Sequence, residues 1–312
     1  MSLPFNRAQL QRTLPALRQD SVDPELAQAW RDFYQIDFAQ QNAEIASCLG
    51  MVEVAGYQIA MQYWRPPHAR ASLIVLHGYY DHMGLYGHVY EWALQQGFAV
   101  LTCDLPGHGL SSGAPASIDS FQTYQQVLQA LLLKADQLAL PKPWHLLGQS
   151  TGGAIAIDYL LNQNPIEALG ETILLSPLVR PRAWRQSKVL YHLVKPFCRS
   201  VPRSFSDNSN DSAFVDFVRH DPLQADILPT AWVGALAQWI PLIERAKPST
   251  RRPIIVQGEA DMTVDWQHNL SVLKHKFDQP NILLLANARH HLANEQLGIR
   301  KQYFQFLTEK LG

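Results

Sequence analysis

Residues 144–153 read WHLLGQSTGG: a short apolar run, then Gly148, Gln149, Ser150, Thr151 and Gly152 in the pattern GxSxG. In that pattern a strand turns sharply into a helix, and the serine at the bend sits in a strained backbone conformation that exposes its hydroxyl. Gly148 and Gly152 supply clearance, because a Cβ at either place would clash where the chain doubles back against neighbouring strands. Gly153 leaves room for helix packing. The segment after Ser150, TGGAIAIDYLLNQN, reads as a helix whose amino end offers free N–H groups and a dipole that favours developing negative charge. Taken alone, GxSxG equally describes a Gly-rich turn, so the surrounding chain decides between the two.

On both sides of this stretch the same unit recurs. The apolar runs at 72–78, 98–104, 144–148, 172–177, 253–258 and 281–287 are short and bounded by turn residues, with helix-length stretches such as 85–96 and 119–139 between most of them. Continuous apolar strands alternating with helices imply a parallel sheet covered on both faces. Upstream, MVEVAGYQIAMQYW (51–64) adds a hairpin turning at Ala55 and Gly56. The expectation is an α/β fold with a mostly parallel eight-stranded sheet. Residues 24–41 place Leu26, Ala29, Trp30 and Phe33 at helical spacing, with Asp23 as cap and Pro24 in the first turn. This helix reads either as a membrane-surface or lid element, or as a helix packed outside the main domain.

Open α/β sheets place ligands at the carboxyl ends of their strands, and polar clusters stand there in this chain. His77, Gly78, Tyr79, Tyr80, Asp81 and His82 follow one run, and DLPGHGLSSG (104–113) follows the next. HGxxxH, then DLPGHGLSSG, then GQSTGG resembles the monoacylglycerol lipase and lysophospholipase branch of the α/β-hydrolases, which is serine aminopeptidase S33-like. The likeness covers most of residues 50–310. It implies an oxyanion hole made by the backbone N–H groups of Tyr79 and Thr151, whose two fixed donors contribute about 3 kcal/mol each to transition-state stabilisation. It also implies the order serine, acid, histidine. GEADMTVD (258–265) is similar to the family's GxxDxxxD, with Asp261 as the acid, and His290 with Glu295 is similar to its HxxxxE. On this reading Ser150, Asp261 and His290 are the catalytic residues, whereas His291 begins the last helix and points elsewhere.

Other readings of the same residues compete. His77, Asp81 and His82 approach a metal motif of HxHxDH type, but Tyr79 occupies its second histidine position. His82, Asp104 and His108 read as hydrogen bonders that stabilise loops. An aspartate nucleophile is disfavoured because Ser150 holds the bend. No cofactor and no metal are required.

Residues 178–250 break the alternation of strand and helix, and the resemblance makes this a helical cap. The segment holds Trp184, Tyr191, Phe197, Phe205, Phe214, Phe217, Trp232 and Trp239, and it includes the family's DPL at Asp221, Pro222 and Leu223. These rings read either as an acyl-chain pocket or as a core internal to the cap. The expected division is a helical extension over 1–48, a core over 49–178 and 250–312, and the cap over 179–249. Residues 180–203 carry seven basic residues and no acidic one, in a chain with 26 Lys and Arg against 27 Asp and Glu. On a helix Arg185, Lys188, His192 and Lys195 form one stripe, with Leu190, Leu193 and Val194 nearly opposite and Pro196 as terminator. The stripe is either solvated surface or a contact for anionic lipid or a phosphate headgroup.

With the charge nearly balanced, nothing suggests nucleic acid as a partner, and no partner protein is indicated. Cys48, Cys103 and Cys198 are odd in number and widely spaced, which fits a reducing compartment. The first residues lack a signal-type apolar core, so the chain reads as cytoplasmic, with peripheral contact at the inner membrane as a further expectation. The resulting expectation is a serine hydrolase that cleaves the acyl ester of a lysophospholipid or monoacylglycerol through an acyl-enzyme. A small-molecule carboxylesterase or thioesterase is the alternative, followed by a non-catalytic binding module on the same fold.

Overall fold

The structure, a computed structural model, describes residues 5–19, 21 and 24–312. After α1 (Arg7–Thr13), the stretch expected as one helix over 24–41 forms two, α2 (Glu25–Tyr34) and α3 (Phe38–Gln41). Gln35 adopts a left-handed conformation (φ 55°), and its N–H caps the carbonyls of Arg31 and Asp32. Pro24 is the N-cap residue of α2 rather than its first turn, and Asp23 lies outside the described residues. Trp30 and Tyr34 are buried, so this helix is packed into the molecule.

Strands β1 (Ala46–Val54) and β2 (Tyr57–Arg65) form the expected hairpin. Both turn residues have positive φ, Ala55 at 53° and Gly56 at 80°, the combination that matches the twist of paired strands. Then follow β3 (Ala71–Leu76), α4 (Gly87–Gln95), β4 (Phe98–Cys103), α5 (Phe121–Gln137), β5 (Trp144–Gln149), α6 (Thr151–Asn162) and β6 (Leu169–Leu175). The insertion contains α7 (Trp184–Val194), β7 (Ser200–Pro202), α8 (Ser212–His220), β8 (Ile227–Pro229) and α9 (Thr230–Arg245). It is therefore not purely helical, because β7 and β8 pair antiparallel. The chain closes with β9 (Ile254–Gly258), α10 (Trp266–Lys276), β10 (Asn281–Leu285) and α11 (Leu297–Leu311).

Eight strands form one sheet in the order β1-β2-β4-β3-β5-β6-β9-β10. Only β2 runs antiparallel to its neighbours; the other pairs are parallel. Burial on both faces explains the unbroken apolar runs. Along β3, Ile74 and Leu76 enter the cluster beneath α5, α6 and α9, while Leu73 and Val75 enter the one beneath α2, α4 and α11. The outer edge of β1 is covered by residues 15–17: Leu17 N–H donates to Met51 O at 3.0 Å, and Met51 N–H donates to Pro15 O at 2.7 Å. That strap occupies backbone groups which would otherwise invite another strand.

Candidate active site

Ser150 stands between β5 and α6 with φ 51° and ψ −109°, a conformation that costs a residue with a side chain about 1–3 kcal/mol. The glycines explain how the bend closes. A Cβ on Gly148 would lie 2.3 Å from the Gly152 carbonyl carbon, and one on Gly152 would lie 2.1 Å from Leu76 O. Thr151 is the first residue of α6, so its N–H has no acceptor within the helix.

The carboxyl ends of β9 and β10 bring two further side chains to this bend. His290 Nε2 lies 2.9 Å from Ser150 Oγ, and His290 Nδ1 lies 2.7 Å from Asp261 Oδ2. With the carboxylate receiving the Nδ1 proton, Nε2 is left as an acceptor for the serine hydroxyl. Burial opposes ionisation of Asp261, but His290 and the N–H groups of Thr263 and Val264, at 2.8 and 3.1 Å, outweigh it and hold the carboxyl below its ordinary range. Asp265 does something else: it caps α10 by accepting from His268 N–H. Two residues whose roles the sequence reading did not resolve fasten the histidine loop. Gln149, the residue before the serine, donates to His290 O at 2.7 Å, and Glu295 accepts from Arg289 N–H at 2.6 Å and from Asn210.

The loop after β3 carries Tyr79. Its shape is held by Tyr86, whose hydroxyl accepts from Gly78 N–H at 2.9 Å and donates to Asp81 Oδ2 at 2.8 Å. His77 donates from Nδ1 to Gly78 O at 2.7 Å and accepts Leu105 N–H at Nε2 at 2.8 Å, and burial pushes its pKa down to about 3. His82 accepts Gly84 N–H at Nδ1 and donates from Nε2 to Asp221 at 2.7 Å. Every ring nitrogen of these two histidines is thus committed, which leaves no lone pair for a metal. Asp104 accepts from Met83 N–H at 2.7 Å and Leu110 N–H at 2.6 Å, and burial holds its carboxyl above the ordinary range. His108 bonds Pro106 O. The Asp221 of the DPL motif joins three parts of the molecule, because it takes Tyr34 OH from α2 at 2.7 Å as well as His82.

A cavity of about 390 Å³ opens above Ser150, Thr151, Tyr79 and His290. Of the eight aromatic residues in the insertion, Trp232 alone lines it, with its ring stacked on Tyr79 at 3.7 Å. Trp239 packs away from the cavity and donates to Asp158 of α6 at 3.0 Å. The other walls divide into apolar Leu178, Leu228 and Val264 and polar Tyr80, Asp81, Arg203, Ser204, Ser206 and Asn208. His291 also lines the cavity, contrary to the expectation that it would open the last helix and point away. It precedes a short 3-10 turn, Leu292–Asn294, and α11 begins only at Leu297. Its Nε2 stands 3.2 Å from Asp81 Oδ2, off the geometry of a hydrogen bond.

Comparison with known proteins bears on the family and the fold. The sequence profile of the family described as Serine aminopeptidase, S33 (Hydrolase_4) matches residues 67–297. The human protein named Monoglyceride lipase is 29% identical over 258 residues, which is 79% of this chain and 84% of that one. Phospholipase YtpA of Bacillus subtilis is 34% identical over 117 residues, 38% of this chain and 44% of that one. Among solved structures, a soluble variant of Saccharomyces cerevisiae monoglyceride lipase in complex with a substrate analog superposes with a TM-score of 0.72 at 16% identity, covering 84% of this chain and 94% of that one. The chain belongs to the Hydrolase_4 family of α/β-hydrolases and is a monoacylglycerol lipase-like carboxylic ester hydrolase.

Proposed function

We propose that the protein cleaves the acyl ester of an amphipathic lipid with a single acyl chain, a monoacylglycerol or a lysophospholipid, through an acyl-enzyme on Ser150. The observation that carries this reading is the unbroken chain from Asp261 through His290 to Ser150 Oγ at 2.7 and 2.9 Å. In the first step His290 Nε2 takes the serine proton as Oγ attacks the ester carbonyl. The oxyanion that forms lies against the N–H groups of Tyr79 and Thr151. His290 then gives its proton to the departing alcohol, and a water activated by the same nitrogen releases the fatty acid. Asp261 holds the ring and stabilises the imidazolium. The division of the cavity into apolar and polar walls suits a substrate with one chain and one head. Among the relatives, the name Monoglyceride lipase supports the first substrate class, and the name Phospholipase YtpA, matched over 38% of this chain, supports a phospholipid ester more generally.

A second part of the proposal concerns the membrane. Helix α7 rests on Trp184 and Tyr191 and turns Val189, Leu190 and Leu193 outward, Leu193 at 65% exposure and the following Phe197 at 86%. Exposed Arg185, Lys188 and Lys195 stand among them. An outward apolar face edged with cations suits an anionic lipid surface. Among the described residues no helix is long and apolar enough to cross a membrane, so the contact proposed is peripheral, on the cytoplasmic side. The test of the chemistry is labelling with a fluorophosphonate probe. Wild type should be labelled and should release fatty acid from lipid monoesters, and Ser150→Ala should do neither; equal labelling of both proteins would overturn the assignment of Ser150.

A further inference from the structure

The direction of proton transfer tells which half of the substrate meets which wall. His290 Nε2 must reach the leaving oxygen, so on the reading above the alcohol half departs along the side of the cavity where His290 stands. From there the chain passes to His291, whose N–H donates to Asn208 O at 2.7 Å, and so joins the segment 203–208 of the insertion. That segment contributes Arg203, Ser204, Ser206 and Asn208 to the lining. The polar wall is thus continuous with the leaving-group side.

Arg203 is unusual there. Its guanidinium lies between the rings of Tyr80, at 3.9 Å, and Phe205, at 4.2 Å. Nη1 is used by Gln224 Oε1 at 2.6 Å and Ala225 O at 3.1 Å. Among the described residues no carboxylate is in ion-pair contact with it, Asp81 and Asp221 acting on it only from farther away, and Nε and Nη2 make no protein hydrogen bond. A half-buried, permanently charged group is costly without a counter-anion, and the fork of a guanidinium fits two oxygens of a phosphate at once. Tyr80, its stacking partner, holds a positive φ of 69° and packs its ring against that of Tyr79 with centroids 4.1 Å apart. The carboxylate in the lining, Asp81, would repel an anion if it stood alone. Its Oδ2 is already taken up, since Tyr86 OH donates to it at 2.8 Å and the His291 ring stands 3.2 Å away.

We propose that Arg203 is an anion-binding residue of this cavity that holds a phosphate on the alcohol half of the ester. Anionic lysophospholipids are then preferred over uncharged monoacylglycerols. The proposal rests on the ester-hydrolase reading and adds the head to it.

The experiment compares 1-acylglycerol 3-phosphate with the 1-monoacylglycerol of the same chain, both below micelle formation. Wild type should show a higher kcat/KM for the phosphate ester by about 10–100-fold, the range expected of a charge-assisted bidentate contact. Arg203→Gln should lose that preference through KM, and Arg203→Lys should regain part of it. As a readout that needs no lipid turnover, glycerol 3-phosphate should compete with p-nitrophenyl butyrate in wild type where glycerol does not, and Arg203→Gln should abolish the competition. A wild-type preference for the monoacylglycerol, or an equal loss on both lipids in Arg203→Gln, would overturn the proposal. No fluorophosphonate labelling and no turnover of any ester in wild type would overturn the hydrolase reading itself.

Discussion

Two pairs of neighbouring residues show how close the sequence comes to naming the site and where it stops. Asp261 and Asp265 both follow β9, and His290 and His291 both follow β10, so spacing alone leaves a choice in each pair. Resemblance to the family chose Asp261 and His290; His290 is the one that reaches Ser150, and Asp261 is the one that reaches His290. We expect Asp261→Asn to lower kcat about 10,000-fold, because an amide that donates to Nδ1 would force the wrong tautomer on the ring. Asp265→Ala should instead cost roughly 1 kcal/mol of stability through the lost cap of α10, with turnover kept. Steady-state kinetics and urea unfolding on the two variants separate these outcomes, and a large kinetic loss in the second with normal turnover in the first would reverse the assignment. The place of His291 was not legible. Its direction depends on a 3-10 turn and on a bond from its N–H to Asn208, more than 80 residues earlier, which no local pattern records.

At the scale of elements, the strands were legible because the central parallel strands are buried on both faces and bounded by turn residues, while β10 at the sheet edge is only half-buried yet keeps its apolar run, and the bend at Ser150 because glycines must stand where the backbone crowds. The insertion was not. Strands β7 and β8 have three residues each and contain Pro202 and Pro229, too short for periodicity and poor in strand propensity. Helix α7 illustrates a different limit, since periodicity gives a stripe but not the side on which the partner lies. The basic stripe and the opposite apolar residues were both visible in sequence, yet the structure leaves the stripe and Leu190 and Leu193 exposed, with Val194 half-buried, and it turns Trp184 and Tyr191 inward between them. A consequence is that both kinds of residue are free for a lipid surface. Replacing Leu190, Leu193 and Phe197 together with serine should weaken sedimentation with neutral and anionic vesicles alike, each side chain contributing up to about 1.5–3 kcal/mol. Arg185→Glu, Lys188→Glu and Lys195→Glu together should remove only the extra affinity for anionic vesicles, an increment of about 1 kcal/mol per charge that high salt also suppresses. Unchanged sedimentation in both variants would leave α7 as ordinary surface.

At the scale of the whole molecule, the parts converge on buried polar groups that tie loops together, and these make stability depend on pH. Asp221 is the clearest junction, since it receives Tyr34 from α2 and His82 from the loop after β3 while belonging to the insertion. Sequence gave no sign of this, because the three residues are separated by 48 and 139 positions and only the packed molecule brings them together. Burial opposes its ionisation, but His82, Leu223 N–H and Tyr34 hold its carboxyl below the ordinary range, so its contribution is present above about pH 4 and is lost only at lower pH. The buried histidines act earlier. Burial lowers His77 to about 3 and His108 to about 4, against about 6.5 in the unfolded chain. Between those limits the unfolded state binds protons that the native state refuses, so stability rises with pH through this window and falls as the solution is acidified. Above about pH 7 both states hold these histidines neutral and the effect vanishes. Each histidine contributes at most about 1.4 kcal/mol per pH unit within the window. Urea unfolding at pH 7.5, 6.5, 5.5 and 5.0 should therefore show a decline on the acid side that begins near pH 6.5, ahead of carboxylate titration; His82, which Asp221 holds above its ordinary range against the effect of burial, acts in the opposite sense and only above about pH 6.5. His108→Asn, which can keep the bond to Pro106 O without a titrating ring, should make that decline shallower. Stability that stays level from pH 7.5 to 5.0 in wild type would mean that these rings reach water before the molecule unfolds.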